Sequence, residues 1–83
     1  MFFVYILQSA LDKSFYIGFS SNLENRLREH NYGRTGYTKK KRPWKLVYFE
    51  EYKTINEAVK REKYLKRLKS KIALEKIIGT VGS

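Results

Sequence analysis

Two short apolar runs dense in aromatic residues, Phe2 to Leu7 and Phe15 to Phe19, open the chain and are separated only by a polar stretch ending Ser9-Ala10-Leu11-Asp12-Lys13-Ser14. Runs of this length are too short to build a helix face, and their aromatic and β-branched content suits a pleated surface. The connection has the Ser, Asp and Lys chemistry of a hairpin and is too short for the crossover that parallel strands require. The first fifth of the chain is therefore committed to a pair of antiparallel strands, and whatever follows must cover them.

The cover has to come from one small domain. Eighty-three residues hold a single core, which excludes a cofactor module standing beside a substrate module. The 42% apolar and 16% aromatic content is too rich for a disordered tail, and the absence of cysteine removes disulfides, thiolate metal sites and cysteine nucleophiles. No run approaches the roughly 18 apolar residues of a membrane span, and the first residues lack a secretory leader, so a soluble, cytoplasmic protein with no membrane partner is expected. Eighteen basic against 8 acidic residues leave a formal charge of +10, the electrostatic footprint of a polyanion binder, with nucleic acid the first choice of partner and DNA ahead of RNA. An anionic membrane surface or an acidic protein are the other partners such a charge allows, and a merely solubilising excess of Lys is the plain alternative.

Beyond the hairpin, Ser21-Asn22-Leu23-Glu24 has the pattern of a capping box with Ser21 as N-cap, predicting a short helix to about Asn31. Residues 32 to 43 hold two Gly, a Pro and the run Lys39-Lys40-Lys41-Arg42, which read as a basic loop. A third strand is expected from Trp44 to about Tyr52, apolar in part on both parities and hence well covered. Thr54, with Glu57 three residues on, starts a long helix to about Leu68, and a last helix follows from Ser70 to Ile78. The expected architecture is α/β, a small three-stranded antiparallel sheet flanked by helices in the order β-β-α-β-α-α, with residues 1–78 as one domain and 79–83 as a disordered tail.

Helical periodicity places polar groups where apolar ones belong. Leu23, Arg26, Leu27 and His30 share the face of the first helix that should meet the sheet, and Glu62 falls near the centre of the stripe formed by Ile55, Ala58, Val59 and Leu65. A structural reading pairs Glu62 with Arg26 as a buried salt bridge; a functional one makes Glu62 a metal ligand and Arg26 a phosphate contact in one cleft. If odd positions of the first strand pair with even positions of the second, Tyr5 and Tyr16 project from the same face, and Gly18 leaves room beside them for a ligand or a closely approaching backbone.

Phe3-Val4-Tyr5, Tyr16-Ile17-Gly18, Arg26 and His30 on one helix and Glu62 on a later one together resemble the GIY-YIG nuclease superfamily. Val4-Tyr5-Ile6-Leu7, Leu23 to Leu27 with His30-Asn31, Arg42 to Tyr48, and Ala58 with Arg61-Glu62-Lys63 resemble its small stand-alone bacterial UPF0213-type members. The resemblance covers most of the chain. It implies a metal-dependent phosphodiesterase in which Tyr5 deprotonates the attacking water, Tyr16 helps position water or phosphate, and Arg26 contacts the scissile phosphate. It makes His30 the polar position one turn later and Glu62 the carboxylate for a divalent cation, Mg2+ or Mn2+. Two departures are visible: the first motif reads Phe-Val-Tyr rather than Gly-Ile-Tyr, and no Asn follows Glu62, where many larger members carry one.

The implied chemistry is coherent, because phosphodiester hydrolysis needs an activated water and neutralisation of the phosphoryl oxygens. A phenol with a pKa of about 10 is a poor base at neutral pH, so Arg26, His30 and metal-bound water are expected to favour phenolate at Tyr5. In the basic loop, Arg34, Tyr37, Lys39, Lys40, Lys41 and Arg42 are the expected nucleic-acid contacts, cations on phosphates with an aromatic ring for stacking. The reading that follows is a DNA endonuclease, structure-directed in repair or recombination and suited to branched or damaged substrates. Its rivals are a non-catalytic nucleic-acid binding module that keeps the cleft and a docking domain for an acidic protein.

Overall fold

The computed structural model describes residues 1–32, 39–68 and 70–79. The element order is β1 (Phe2–Ser9), β2 (Phe15–Ser20), α1 (Leu23–Asn31), β3 (Trp44–Tyr52), α2 (Ile55–Leu68) and α3 (Lys71–Gly79). The strands form one antiparallel sheet in the order β2-β1-β3. No described helix is long and apolar enough to cross a membrane.

Because β1 is central, both its faces are covered, which explains the unbroken buried run Val4, Tyr5, Ile6 and Leu7. Val4 and Ile6 pack with Ile17, Tyr48, Ala58, Leu65 and Leu74 under α2 and α3. Tyr5 and Leu7 pack with Trp44 on the opposite face, where Leu23 and Leu27 of α1 lie against them. The helices thus sandwich the sheet and leave the outer edge of β2 between α1 and α2.

The helix starts follow local hydrogen bonding. The N-cap of α1 is Asn22 rather than Ser21: its Oδ1 accepts from the Asn25 amide at 3.0 Å, while the Ser20 hydroxyl, one residue before the expected cap, secures the Asn22 amide at 3.0 Å and its carbonyl at 3.1 Å. Thr54 caps α2, accepting from the Glu57 amide at 3.3 Å, and Ser70 caps α3, accepting from the Ala73 amide at 3.2 Å. α3 continues through Gly79, which the sequence reading assigned to the tail; residues 80–83 lie outside the described residues.

The mixed parity of β3 has a different cause from the expected burial. Tyr48 pairs with Ile6 but Leu46 with Leu7, so a bulge at Val47 switches the parity. Trp44 and Leu46 thereby join Phe49 on the face of Tyr5, whereas Lys45 and Glu51 are exposed and Phe49 is 46% exposed on a strand expected to be well covered. On the other face Glu50 accepts from the hydroxyls of Tyr48 and Tyr52, the latter at 2.6 Å, and from Arg61 Nε and Nη2 of α2 at 2.9 and 3.1 Å. This forked contact fixes the rotation of α2 against the sheet.

Burial alone would raise the Glu50 carboxyl, but hydrogen bonds from Arg61, Tyr48 and Tyr52 outweigh it and hold it below its ordinary value of 4.5. The stability that ionised Glu50 contributes is therefore complete above that value and is lost as pH falls through the lowered one. We predict that Glu50→Gln lowers unfolding free energy at neutral pH by about 1–3 kcal/mol and flattens the acid limb of a melting-temperature profile below pH 4.5. An unchanged acid limb would show that other carboxylates drive acid unfolding.

Candidate active site

The β1–β2 register sets Tyr5 opposite Gly18 and Leu7 opposite Tyr16, so both phenols stand on the α1 face of the sheet. The space beside Gly18 is taken by neither ligand nor backbone. The Tyr5 ring lies across it: a Cβ at position 18 would meet the Tyr5 hydroxyl at 2.5 Å and Cζ at 2.7 Å. The missing side chain lets a phenol from the central strand reach over its neighbour toward the sheet edge.

There Tyr5 Oη lies 3.2 Å from Nε2 of His30. Tyr5 is 3% exposed and His30 2%, and Tyr16 packs on the same imidazole with ring centroids 4.6 Å apart. Burial pushes the Tyr5 phenol well above its ordinary range, Tyr16 and Glu62 add to the rise, and Arg26 only partly opposes it. The cationic environment expected to favour phenolate is thus outweighed by desolvation. Burial, reinforced by Arg26, lowers the His30 pKa from 6.5, so the imidazole is neutral at physiological pH. Its Nδ1 is buried without a hydrogen-bond partner among the described residues.

Just outside this pair, a cleft of about 440 Å3 is lined by Tyr5, Tyr16, Gly18, Ser20, Arg26 and Glu62, with Phe2, Phe19, Ser21 and Ile55 completing its walls. It straddles the β2 edge, and α1 and α2 supply Arg26 and Glu62 from opposite faces of the sheet. The expected apolar stripe on α2 is correspondingly shorter: Ala58 and Leu65 are buried, while Ile55 is 48% exposed at the cleft.

The alternative of an Arg26–Glu62 salt bridge is not realised. Arg26 comes no closer than 4.0 Å to Glu29, and Glu62 pairs with Lys66 at 3.5 Å, one turn along α2. Although the Arg26 side chain is 42% exposed, its Nε is buried with no acceptor among the described residues, and an unpaired buried donor costs about 1–3 kcal/mol. Among the described residues, Glu62, with 14% of its side chain exposed, is the single carboxylate lining the cleft, and no cluster of three or more His, Asp or Glu side chains could hold a metal ion. This donor set fits a hard cation that keeps most of its waters, as magnesium does; it does not form a closed cage.

Five of the sequence-selected residues are therefore neighbours: Tyr5, Tyr16, Arg26 and Glu62 line the cleft and His30 backs it. The basic segment expected as a loop has Lys39 and Lys40 in helical conformation, and none of its described residues lines the cleft. Lys39, Lys40 and Arg42 are exposed, but Lys41 is held by Asp12 at 3.1 Å and Ser14 at 3.4 Å. Arg34 and Tyr37 lie outside the described residues. Three contributors escaped the sequence reading. Lys66 was recoverable from its i+4 spacing to Glu62. Ser20 precedes the cap of α1 and lines the cleft. Asn31 accepts from the Trp44 amide at 2.6 Å and donates to the Trp44 carbonyl at 3.2 Å, tying the His30 end of α1 to β3; no local pattern announces that contact.

A family model described as the GIY-YIG catalytic domain matches residues 1–76. The chain belongs to the GIY-YIG catalytic-domain family. A UPF0213 protein of Syntrophus aciditrophicus is 44% identical over 68 residues, covering 80% of this chain and 77% of that protein. One of Clostridium perfringens is 46% identical over 69 residues, covering 82% and 73%. The solution NMR structure of a UPF0213 protein from Bacillus halodurans superposes with a TM-score of 0.64 at 29% identity, covering all of this chain and 88% of that one. The GIY-YIG assignment places the domain in a nuclease family, whose substrates are nucleic acids and whose members commonly use divalent metals. The architecture expected from the sequence is the observed one.

Within this GIY-YIG domain the contact between Gly18 and Tyr5 is sharply testable. Gly18→Ala should lower stability by about 1–3 kcal/mol, because the methyl must expel a buried ring. Adding Tyr5→Leu to that variant should recover much of the loss, as measured by thermal melts of the four proteins in a double-mutant cycle. Strict additivity of the two changes would contradict the contact.

Proposed function

We propose that the protein is a divalent-metal-dependent endonuclease that hydrolyses phosphodiester bonds in DNA. The observation that supports this most strongly is the orphaned Nε of Arg26 in a cleft that also holds Glu62 and Tyr5. A buried guanidinium Nε without an acceptor among the described residues is accounted for when a phosphate oxygen completes it. Glu62 is the residue that would hold the cation. Bound there with substrate, Mg2+ or Mn2+ supplies positive charge to the phosphoryl oxygens.

The chain's own groups suit the remaining work. Tyr5 is the proposed base for the attacking water. Since burial keeps its proton on in the free protein, Tyr5 acts as a base only if that proton has somewhere to go, and His30 Nε2 at 3.2 Å is a neutral imidazole nitrogen within reach. In the tautomer that accepts from Tyr5, Nδ1 carries the hydrogen. Tyr16, stacked on Tyr5 and tilted against His30, orients both rings, and Arg26 binds the scissile phosphate. Because the cleft groups address phosphate and metal rather than base edges, branched or damaged DNA, as met in repair or recombination, is the proposed substrate class.

The deciding experiment is cleavage of a panel of duplex, nicked, flapped, single-stranded DNA and RNA substrates with magnesium, manganese or chelator. Wild type should cut flapped or nicked DNA in either metal and not in chelator. Tyr5→Phe should keep the fold and lose about 10² or more in rate, and Glu62→Gln should abolish cutting while nucleic acid still binds. Activity should fall on acidification as His30 gains a proton, with an apparent pKa below 6.5. A wild type that binds DNA but cuts nothing in either metal would leave the other reading, a nucleic-acid binding module that retains the cleft.

A further inference from the structure

A second hollow, of about 350 Å3, adjoins the cleft and shares Tyr16 with it; its other walls are Phe15, Ile17, Lys66 and Leu74. It lies farther along the free edge of β2, on the α2–α3 side. Phe15 and Gly18 are three residues apart in an extended strand, or roughly 10 Å, a span that a nucleic-acid strand crosses within the next nucleotide or two. The two hollows therefore lie in series along one edge.

Their chemistry differs. The first is polar and bears Arg26 and Glu62. The second offers a half-buried aromatic ring, Phe15, with two aliphatic neighbours and cations at its rim. Lys66 lines it while pairing with Glu62 at 3.5 Å, and exposed Lys71 sets its Nζ 6.0 Å from the Phe15 ring centroid. Ammonium groups beside a hydrophobic ring match a nucleotide, whose anionic oxygens meet the cations while its base meets the ring. Duplex DNA cannot use such a site, because its bases present their π-faces to one another; only an unpaired nucleotide frees a face.

We propose that this hollow is a subsite for an unpaired nucleotide next to the scissile phosphate, with the base on Phe15 and the flanking phosphate on Lys66 and Lys71. The assignment rests on the nucleic-acid reading of the neighbouring cleft and adds to it a structural preference for flapped or single-stranded substrate over paired duplex.

The test is binding in chelator, where no cleavage occurs, of a flapped DNA and its fully paired counterpart, with 2-aminopurine placed in turn at unpaired positions near the junction. Wild type should quench the probe at one of those positions. Phe15→Leu, which keeps an apolar group against the core, should abolish that quenching and weaken flapped DNA by about tenfold relative to paired DNA. Lys71→Ala, an exposed change that should leave the melting temperature unaltered, should weaken flapped DNA severalfold and reduce its salt slope by about 1. If Phe15→Leu melts early, Lys71→Ala and Lys71→Glu decide the matter. Equal weakening of flapped and paired DNA, or none, overturns the subsite. A wild type that shows Phe15-dependent quenching yet never cuts removes the nuclease reading and keeps the subsite. One that cuts, with Phe15 and Lys71 variants that bind and cut flapped DNA as it does, removes the subsite and keeps the nuclease.

Discussion

A phenol on the central strand of a three-stranded sandwich has no route to solvent through either covered face, so its hydroxyl must travel sideways. In this protein that route is the position of Gly18, where the absence of a Cβ lets the Tyr5 ring lie across β2 and bring its oxygen to His30 at the sheet edge. The rest of the site is arranged around that crossing. α1 must present His30 above it, which its Asn22 cap at one end and the Asn31 to Trp44 contacts at the other enforce. Tyr16, one register step along, closes the other side of the imidazole.

The position of Glu62 depends on a different anchor. Adjacent residues of a helix point about 100° apart, so the forked contact of Arg61 with Glu50 turns Arg61 toward β3 and its neighbour toward the β2 edge. A polar cluster with no atom in the cleft thus sets the direction of the carboxylate that lines it. Lys66 balances that carboxylate in the free protein, and the formal charge of +10 makes cations easy to supply at any edge of so small a domain.

Much of this was legible in the sequence because local rules and global fold agree. Strand runs separated by a hairpin connection, the cap at Thr54, and the helical face shared by Leu23, Arg26, Leu27 and His30 each follow from short-range pattern. What was not legible depended on distant atoms. The cap of α1 moved from Ser21 to Asn22 because a Ser20 hydroxyl secures the Asn22 backbone. The apparent two-sided burial of β3 was a bulge at Val47, which only pairing with β1 reveals. Glycine at position 18 signalled a close approach, but the sequence could not say that the approaching group was Tyr5. Nor could periodicity say whether Arg26 reaches Glu62, since that turns on how α1 and α2 meet at the sheet edge.

The free site is held in a resting state by the same burial that shapes it. Tyr5 keeps its proton because desolvation outweighs Arg26, Glu62 is balanced by Lys66, and Arg26 Nε has no acceptor among the described residues. Under the proposed function a phosphodiester would answer two of these conditions: its oxygens would complete the Arg26 donor, and its charge would compete for Lys66 and free Glu62. Its negative charge would not help ionise Tyr5, whose proton would leave only toward His30 Nε2. Under the proposed nuclease function, the protein therefore needs no lid to stay inactive without substrate: the uncompensated groups are complementary to the substrate, and catalysis is assembled by binding.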